Sequence, residues 1–192
     1  AVVARRALEA GAAMINDIAA LRSDAGLAEL AAEFGVPVIL MHMRGEPRSM
    51  QVAPRYDDLV GEIYSFLQEA ADVAERRGIA RERLIVDPGI GFGKTGEHNL
   101  QLVRRLADFA GLDLPLLVGP SRKSFIRRLV QPAGEPDIAP DQPVVETGTQ
   151  AAVAASVFNG AHIVRVHDVA NTVATVNVVD AILNSGSTPR IH

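Results

Sequence analysis

Apolar and polar positions along the chain follow two alternating periods. Five short runs, at residues 12–17, 36–42, 83–89, 114–121 and 162–168, are nearly continuous in Val, Ile, Leu and Ala before they turn polar. Runs of that kind read as strands buried on both faces, as in a parallel sheet flanked by helices. Between them lie longer stretches with apolar residues at helical spacing: 24–34, 56–77, 97–110, 124–130, 144–159 and 169–184. The gaps suit strand–helix–strand crossovers and are too long for hairpins. Gly35, Gly78 and Gly160 fall just past three of the helical stretches, where a left-handed cap is favoured. One more amphipathic helix opens the chain and stops at Gly11.

Two insertions break the rhythm. Residues 44–57 follow the second run, and residues 131–143, with Pro132, Pro136, Pro140 and Pro143, follow the fourth. Both predict loops, the second a mobile one, and residues 185–192 predict a frayed, flexible tail. The fold class is α/β. A (β/α)8 TIM barrel takes about 250 residues, roughly 30 per unit, so five units behind an orphan helix predict the last five βα units of such a barrel. On that reading residues 1–192 form one N-terminally truncated domain. A doubly wound open sheet is the alternative, since five strands can fill one without closure. The chain opens inside a helix and without Met, and reads as a fragment.

Each apolar run ends in chemistry: Asn16 with Asp17, His42, Asp87, Ser121 with Arg122 and Lys123, and Arg165 with His167. Parallel strands that present polar groups at one edge build a shared pocket there, which favours an enzyme over a structural protein. Bulk properties narrow the class further. With 192 residues, 48% of them apolar, a sizeable core is available. The formal charge of −4 offers no general attraction to nucleic acid or anionic membrane. There is no apolar stretch long enough to span a bilayer and no leader pattern, so a soluble, cytoplasmic protein is expected. The absence of cysteine removes disulfides, thiolate ligands and cysteine nucleophiles together.

The segment from Asp87 to Thr95 contains Gly91-x-Gly93-x-x-Gly96, which fits the dinucleotide fingerprint only loosely, because Phe92 and Lys94 crowd the loop. Asp87 says more. A carboxylate that ends an apolar strand is costly to bury without a partner, and a ligand with two adjacent N–H donors would satisfy both oxygens. At Ser121-Arg122-Lys123-Ser124, positive charge at a helix start opposes the macrodipole and implies an acceptor-rich or anionic partner. Period 2 puts Arg165 and His167 on one face of the last strand, a pair suited to phosphate or diphosphate. Asn16 fits a helix cap and a heterocycle equally well, and Met41 offers a polarizable wall to a planar ring. His42 reads as a satisfied histidine at the mouth of the sheet. The histidines lack zinc-type spacing, and no nucleophile–base pair emerges. Residue chemistry thus calls for a flat, hydrogen-bond-rich ring with an anionic tail.

Taken together, residues 15–18, 40–45, 87–94, 121–124 and 165–169 resemble the dihydropteroate synthase family of pterin-binding enzymes in order and spacing. The resemblance implies a TIM-barrel transferase of folate biosynthesis. It would join a dihydropterin diphosphate to 4-aminobenzoate and release diphosphate. By motif, Asn16, Asp87, Lys123, Arg165 and Met41 would bind the pterin, and Arg165 with His167 the diphosphate. Phe92, Ser121 and Arg122 would lie on the 4-aminobenzoate side. The resemblance also implies Mg2+, whose protein ligand would precede this segment, so no metal ligand is expected within it. It implies a homodimer as well. With the first barrel units absent, the isolated segment is expected to be inactive. A methyltetrahydrofolate methyltransferase domain and a non-catalytic pterin-binding partner are the competing readings. Arg127 stands where relatives usually have glycine, and a change confined to its helix is expected.

Overall fold

The computed structural model describes residues 1–24, 26–45, 50, 54–133 and 137–186. The segments predicted as loops at 44–57 and 131–143 are therefore described only in part, and 187–192 of the expected tail lie outside the described residues. Helix α1 (Val2–Glu9) is followed by β1 (Ile15–Asp17), α2 (Gly26–Phe34), β2 (Val38–Met41) and α3 (Leu59–Arg76). Then come β3 (Leu84–Asp87), α4 (Gly96–Arg104), β4 (Leu117–Val118), α5 (Ser124–Val130), α6 (Pro143–Phe158), β5 (Ile163–Val164) and α7 (Val169–Leu183). The five strands expected from the sequence are all present. All pairings are parallel and sequential: β1 with β2, β2 with β3, and β4 with β5. A single parallel bridge, Val86 to Leu116, carries the order across from β3 to the start of β4.

Local chemistry explains where the elements stop. Helix α1 closes in a Schellman arrangement, with Gly11 N–H donating to Leu8 O at 2.9 Å and Ala12 N–H to Ala7 O at 2.9 Å. That consumes the start of the first apolar run, so its strand begins only at Ile15. Helix α3 is capped by Asp58, whose carboxylate accepts from Gly61 N at 3.1 Å. Helix α4 opens on a reciprocal cap between Thr95 and His98. The expected helix at 97–110 is broken: after α4 the chain tightens into a 3₁₀ segment, Leu106–Leu112. Leu106, Phe109 and Leu112 recur every third residue, and the three-residue turn puts all of them into the core. Gly35, Gly78 and Gly160 take the left-handed values expected of helix caps.

The register sorts strand side chains onto two faces. Ile15, Val38, Leu40 and Leu84 pack with α1, α2 and the second half of α3 in one cluster. Val86, Leu116 and Val118 join the first half of α3, α4 and α5 in another. Nearly all of these are fully buried, each stabilising by about 1.5–3 kcal/mol. Alternate residues face the other way, where Ile39, Ile85 and Leu117 form a small apolar patch with Ile163 beside it. By the same alternation Asn16, Met41, Asp87 and Arg165 lie on that inner face, with Met41 in register against Asp87. Four of the groups singled out from the sequence therefore share one surface of the sheet.

Arg127 reaches beyond its helix, contrary to the expectation of a local change. Its guanidinium donates to Ile138 O at 3.1 Å and pairs with Asp137 at 3.1 Å, fastening α5 to the segment before α6.

Candidate active site

The loop after β3 is the centre of the site. Asp87 is 6% exposed, and its Oδ1 accepts from Gly89 N at 2.7 Å, a side-chain-to-backbone turn that fixes the carboxylate. Burial pushes its carboxyl up to about 6, against the Gly89 N–H and the positive charges of Lys123, Lys94 and Arg165. Gly89 has φ +72°, and a Cβ there would lie 1.9 Å from His42 O, so the loop presses directly on the end of β2. Gly91 is held by Asn99, whose Oδ1 accepts from Gly91 N at 2.7 Å and whose amide donates to Thr95 O at 2.8 Å. A Cβ at Gly91 would lie 2.7 Å from Lys123 Cδ, so the glycine makes room for the lysine stem.

Two lysines flank Asp87 by different routes. Lys123, just before α5, donates from Nζ to Ile90 O at 2.7 Å and sits 4.0 Å from the centroid of the Phe92 ring. Burial lowers its ammonium to about 8, with Asp87 opposing the fall. Lys94 is folded inward, 3% exposed, donating to Phe92 O at 3.0 Å and to His42 Nδ1 at 3.0 Å. Burial lowers it to about 7, again opposed by Asp87. His42 is held to about 3 by burial and then by the Lys94 charge, so it stays neutral and accepts at Nδ1. That agrees with reading it as a satisfied histidine.

At the ends of β4 and β5, Ser121 Oγ lies 2.8 Å from His167 Nδ1 and accepts from His167 N at 3.3 Å. Arg122 turns away. Its backbone is left-handed at φ +58°, its N–H donates to the buried Thr149 hydroxyl at 3.2 Å, and its Nε lies 3.5 Å from Glu146 Oε2 on α6. Asn16 and Arg165 are both exposed and line a cavity of about 590 Å³ with Ile39, Leu117, Ile163 and Val173.

Of the residues singled out from the sequence, Asp87, Lys123 and Phe92 gather around one loop, with Met41 beside Asp87 in the sheet and Arg165 close enough to bear on Asp87's charge. Ser121 and His167 form a separate pair, and Arg122 belongs with α6. Sequence reasoning missed Lys94, Asn99 and Thr149. The one available signal was a lysine directly after a glycine-rich turn with a strand-end histidine elsewhere in the chain. Among the described residues, no group of three or more His, Cys, Asp or Glu side chains is placed to hold a metal ion. No helix among them is long and apolar enough to cross a membrane.

A parallel α/β sheet that ends in a buried carboxylate flanked by cations is the frame of a site for a flat, donor-bearing ring. Residues 1–167 match the family model described as pterin binding enzyme, and the chain belongs to that family. It is 45% identical over 188 residues to the dihydropteroate synthase of Escherichia coli strain K12, covering 98% of this chain and 64% of that protein. The chain thus spans a little under two thirds of that relative's length. Its fold is similar to the Yersinia pestis dihydropteroate synthase solved with a sulfonamide drug, with TM-score 0.88 and 41% identity over 95% of this chain and 64% of that one. It is also similar to the Xanthomonas albilineans dihydropteroate synthase in complex with 7,8-dihydropteroate, with TM-score 0.84 and 41% identity over 98% of this chain and 64% of that one.

Proposed function

We propose that the chain is the pterin-binding part of a dihydropteroate synthase, contributing five βα units of a (β/α)8 barrel as one domain. The observation that carries the reading is the shared inner face of Asn16, Met41, Asp87 and Arg165, with Lys123 and Phe92 held at its C-terminal rim. Asp87 accepts the ring's adjacent 2-amino and N3–H donors, Lys123 donates to its acceptor edge, and Asn16 and Met41 complete the pterin pocket. Arg165 lies over the ring and meets the diphosphate together with His167. Phe92 and Ser121 are assigned to the 4-aminobenzoate side, and Arg122 joins them only if its side chain leaves Glu146.

The chemistry asked of these residues is electrostatic. As the methylene carbon–oxygen bond breaks, its electron pair leaves with diphosphate, and the cations stabilise that anion while Asp87 tolerates positive charge on the ring. The aromatic amine then attacks the carbon and loses a proton, which needs no dedicated strong base. The family resemblance implies Mg2+ for the full-length enzyme, with its protein ligand preceding this segment, and within the segment the diphosphate is assigned to Arg165 and His167. A cytoplasmic homodimer is part of the same proposal.

The reading is tested by assaying the full-length protein for 7,8-dihydropteroate formed from the dihydropterin diphosphate and 4-aminobenzoate. No product under conditions where a pterin binds would reject the transferase step. Lys123→Ala should weaken pterin binding about tenfold to a hundredfold, the worth of one charged hydrogen bond. Calorimetry giving an affinity within twofold of the parent would remove Lys123 from the site. Pterin binding should also strengthen as pH rises through about 6, because only the ionised Asp87 accepts from both ring donors. The effect on folding has the opposite sign. A carboxyl raised above its ordinary 3.8 stabilises the folded chain most below that pH, and the contribution is lost as pH rises through about 6. Titrations at pH 5 and pH 8 separate the two, and pH-independent affinity would speak against Asp87 as acceptor.

A further inference from the structure

A serine hydroxyl has one hydrogen to donate and can accept two hydrogen bonds. Ser121 Oγ already accepts from the His167 backbone N–H, and Nδ1 of the same residue lies 2.8 Å away. Among the described residues no other group is hydrogen-bonded to that hydroxyl. If Nδ1 carried the ring's hydrogen, the hydroxyl hydrogen of a serine only 6% exposed would have no protein acceptor, an arrangement folded proteins avoid. The reverse assignment satisfies every atom. Oγ–H donates to Nδ1, Nδ1 accepts, and the neutral ring keeps its hydrogen on Nε2.

We propose that Ser121 is a positioning residue for His167, fixing the ring in the tautomer that presents Nε2–H, in the exposed bend between β5 and α7, to the diphosphate. This deepens the transferase reading and rests on it. Arg165 stands two residues earlier in the same segment after β5, so a forked cation and a neutral donor of fixed direction can meet one anion. A ring free to exchange tautomers would offer Nε2 as an acceptor part of the time and repel the phosphate oxygen it should hold. The bond also ties the end of β4 to the end of β5, whose regular pairing is only Leu117 with Ile163 and Val118 with Val164.

The test is the nitrogen spectrum of the full-length protein, ligand-free at neutral pH, with 15N-labelled histidine and His167→Gln to assign the signal. The expected result is an unprotonated, pyridine-like Nδ1 and a protonated, pyrrole-like Nε2 at His167. Ser121→Ala should move both nitrogens toward the average of exchanging tautomers, and Ser121→Thr, which keeps the hydroxyl, should restore the original pattern. In turnover, Ser121→Ala should lower kcat about tenfold, the loss expected for one oriented hydrogen bond, with Ser121→Thr recovering most of it. A protonated Nδ1 in the parent, or unchanged nitrogen shifts in Ser121→Ala, would overturn the assignment. If the tautomer is as stated but no dihydropteroate forms, the transferase reading falls and takes the diphosphate role with it. The two failures are thereby distinguishable.

Discussion

Asp87→Asn should lose pterin affinity by about a hundredfold to a thousandfold while the chain remains folded. The carboxylate offers acceptors in two directions, and in the proposed site a ring with adjacent N–H donors would occupy both. The amide keeps one acceptor and turns an N–H2 donor toward a donor, so two charged hydrogen bonds of about 1.5–3 kcal/mol each are damaged. The substitution also removes the group that supports the charge of Lys94 and Lys123, since Asp87 is the influence raising both against burial. Stability should move differently. Burial raises the Asp87 carboxyl to about 6, so its ionised form is a cost to the ligand-free fold at neutral pH, and the neutral amide relieves it. The paired measurement is calorimetry with a pterin and thermal unfolding at pH 8. Lost binding with an unlowered melting temperature is the expected result, and parent-like affinity would refute the role of Asp87.

Gly89→Ala acts on the fold through the same loop. Gly89 sits at φ +72°, where an L-residue costs about 1–2 kcal/mol, and the new methyl would lie 1.9 Å from the His42 carbonyl oxygen. That oxygen is backbone, and it cannot rotate aside. His42 is itself tied in place by its own N–H, which donates to Asp87 O at 2.9 Å. Either β2 or the loop must shift, at about 1–3 kcal/mol more. A fall in unfolding midpoint of roughly 5–15 °C is expected at about 2–4 °C per kcal/mol for a chain of this size. Calorimetric or circular-dichroism melting decides it, and a midpoint within about 1 °C of the parent would mean that the contact is not maintained.

The inner-face residues were legible because one short rule covers them. Period 2 along each strand, with the reactive groups at the C-terminal ends, is enough to align Met41, Asp87 and Arg165 once the strands are parallel. Asn16 follows from the same count, although its chemistry alone was ambiguous. Lys94 was not legible: the sequence shows it only as a residue crowding the glycine-rich loop, and the fold brings Phe92 O and His42 Nδ1 to its ammonium. Ser121, Arg122 and Lys123 read as a single polar cluster, yet they part in three directions. The left-handed backbone at Arg122 causes this, sending its side chain to Glu146 while Lys123 reaches back to Ile90. The break after Arg104 was hidden for another reason. A repeat of three and a repeat of 3.6 differ little over seven residues, and burial of Leu112 decided between them.

The β3 loop is clasped from both sides. His42's carbonyl abuts Gly89, while Lys123 crosses over Gly91 to reach Ile90 O. A strip of chain gripped this way behaves as a linkage: it cannot sway toward one neighbour without dragging the other. Displacing the chain after β2 would therefore shift the Lys123 ammonium on Ile90 O and the Phe92 ring, so in the proposed site a substitution near His42 should weaken pterin binding without touching the pterin.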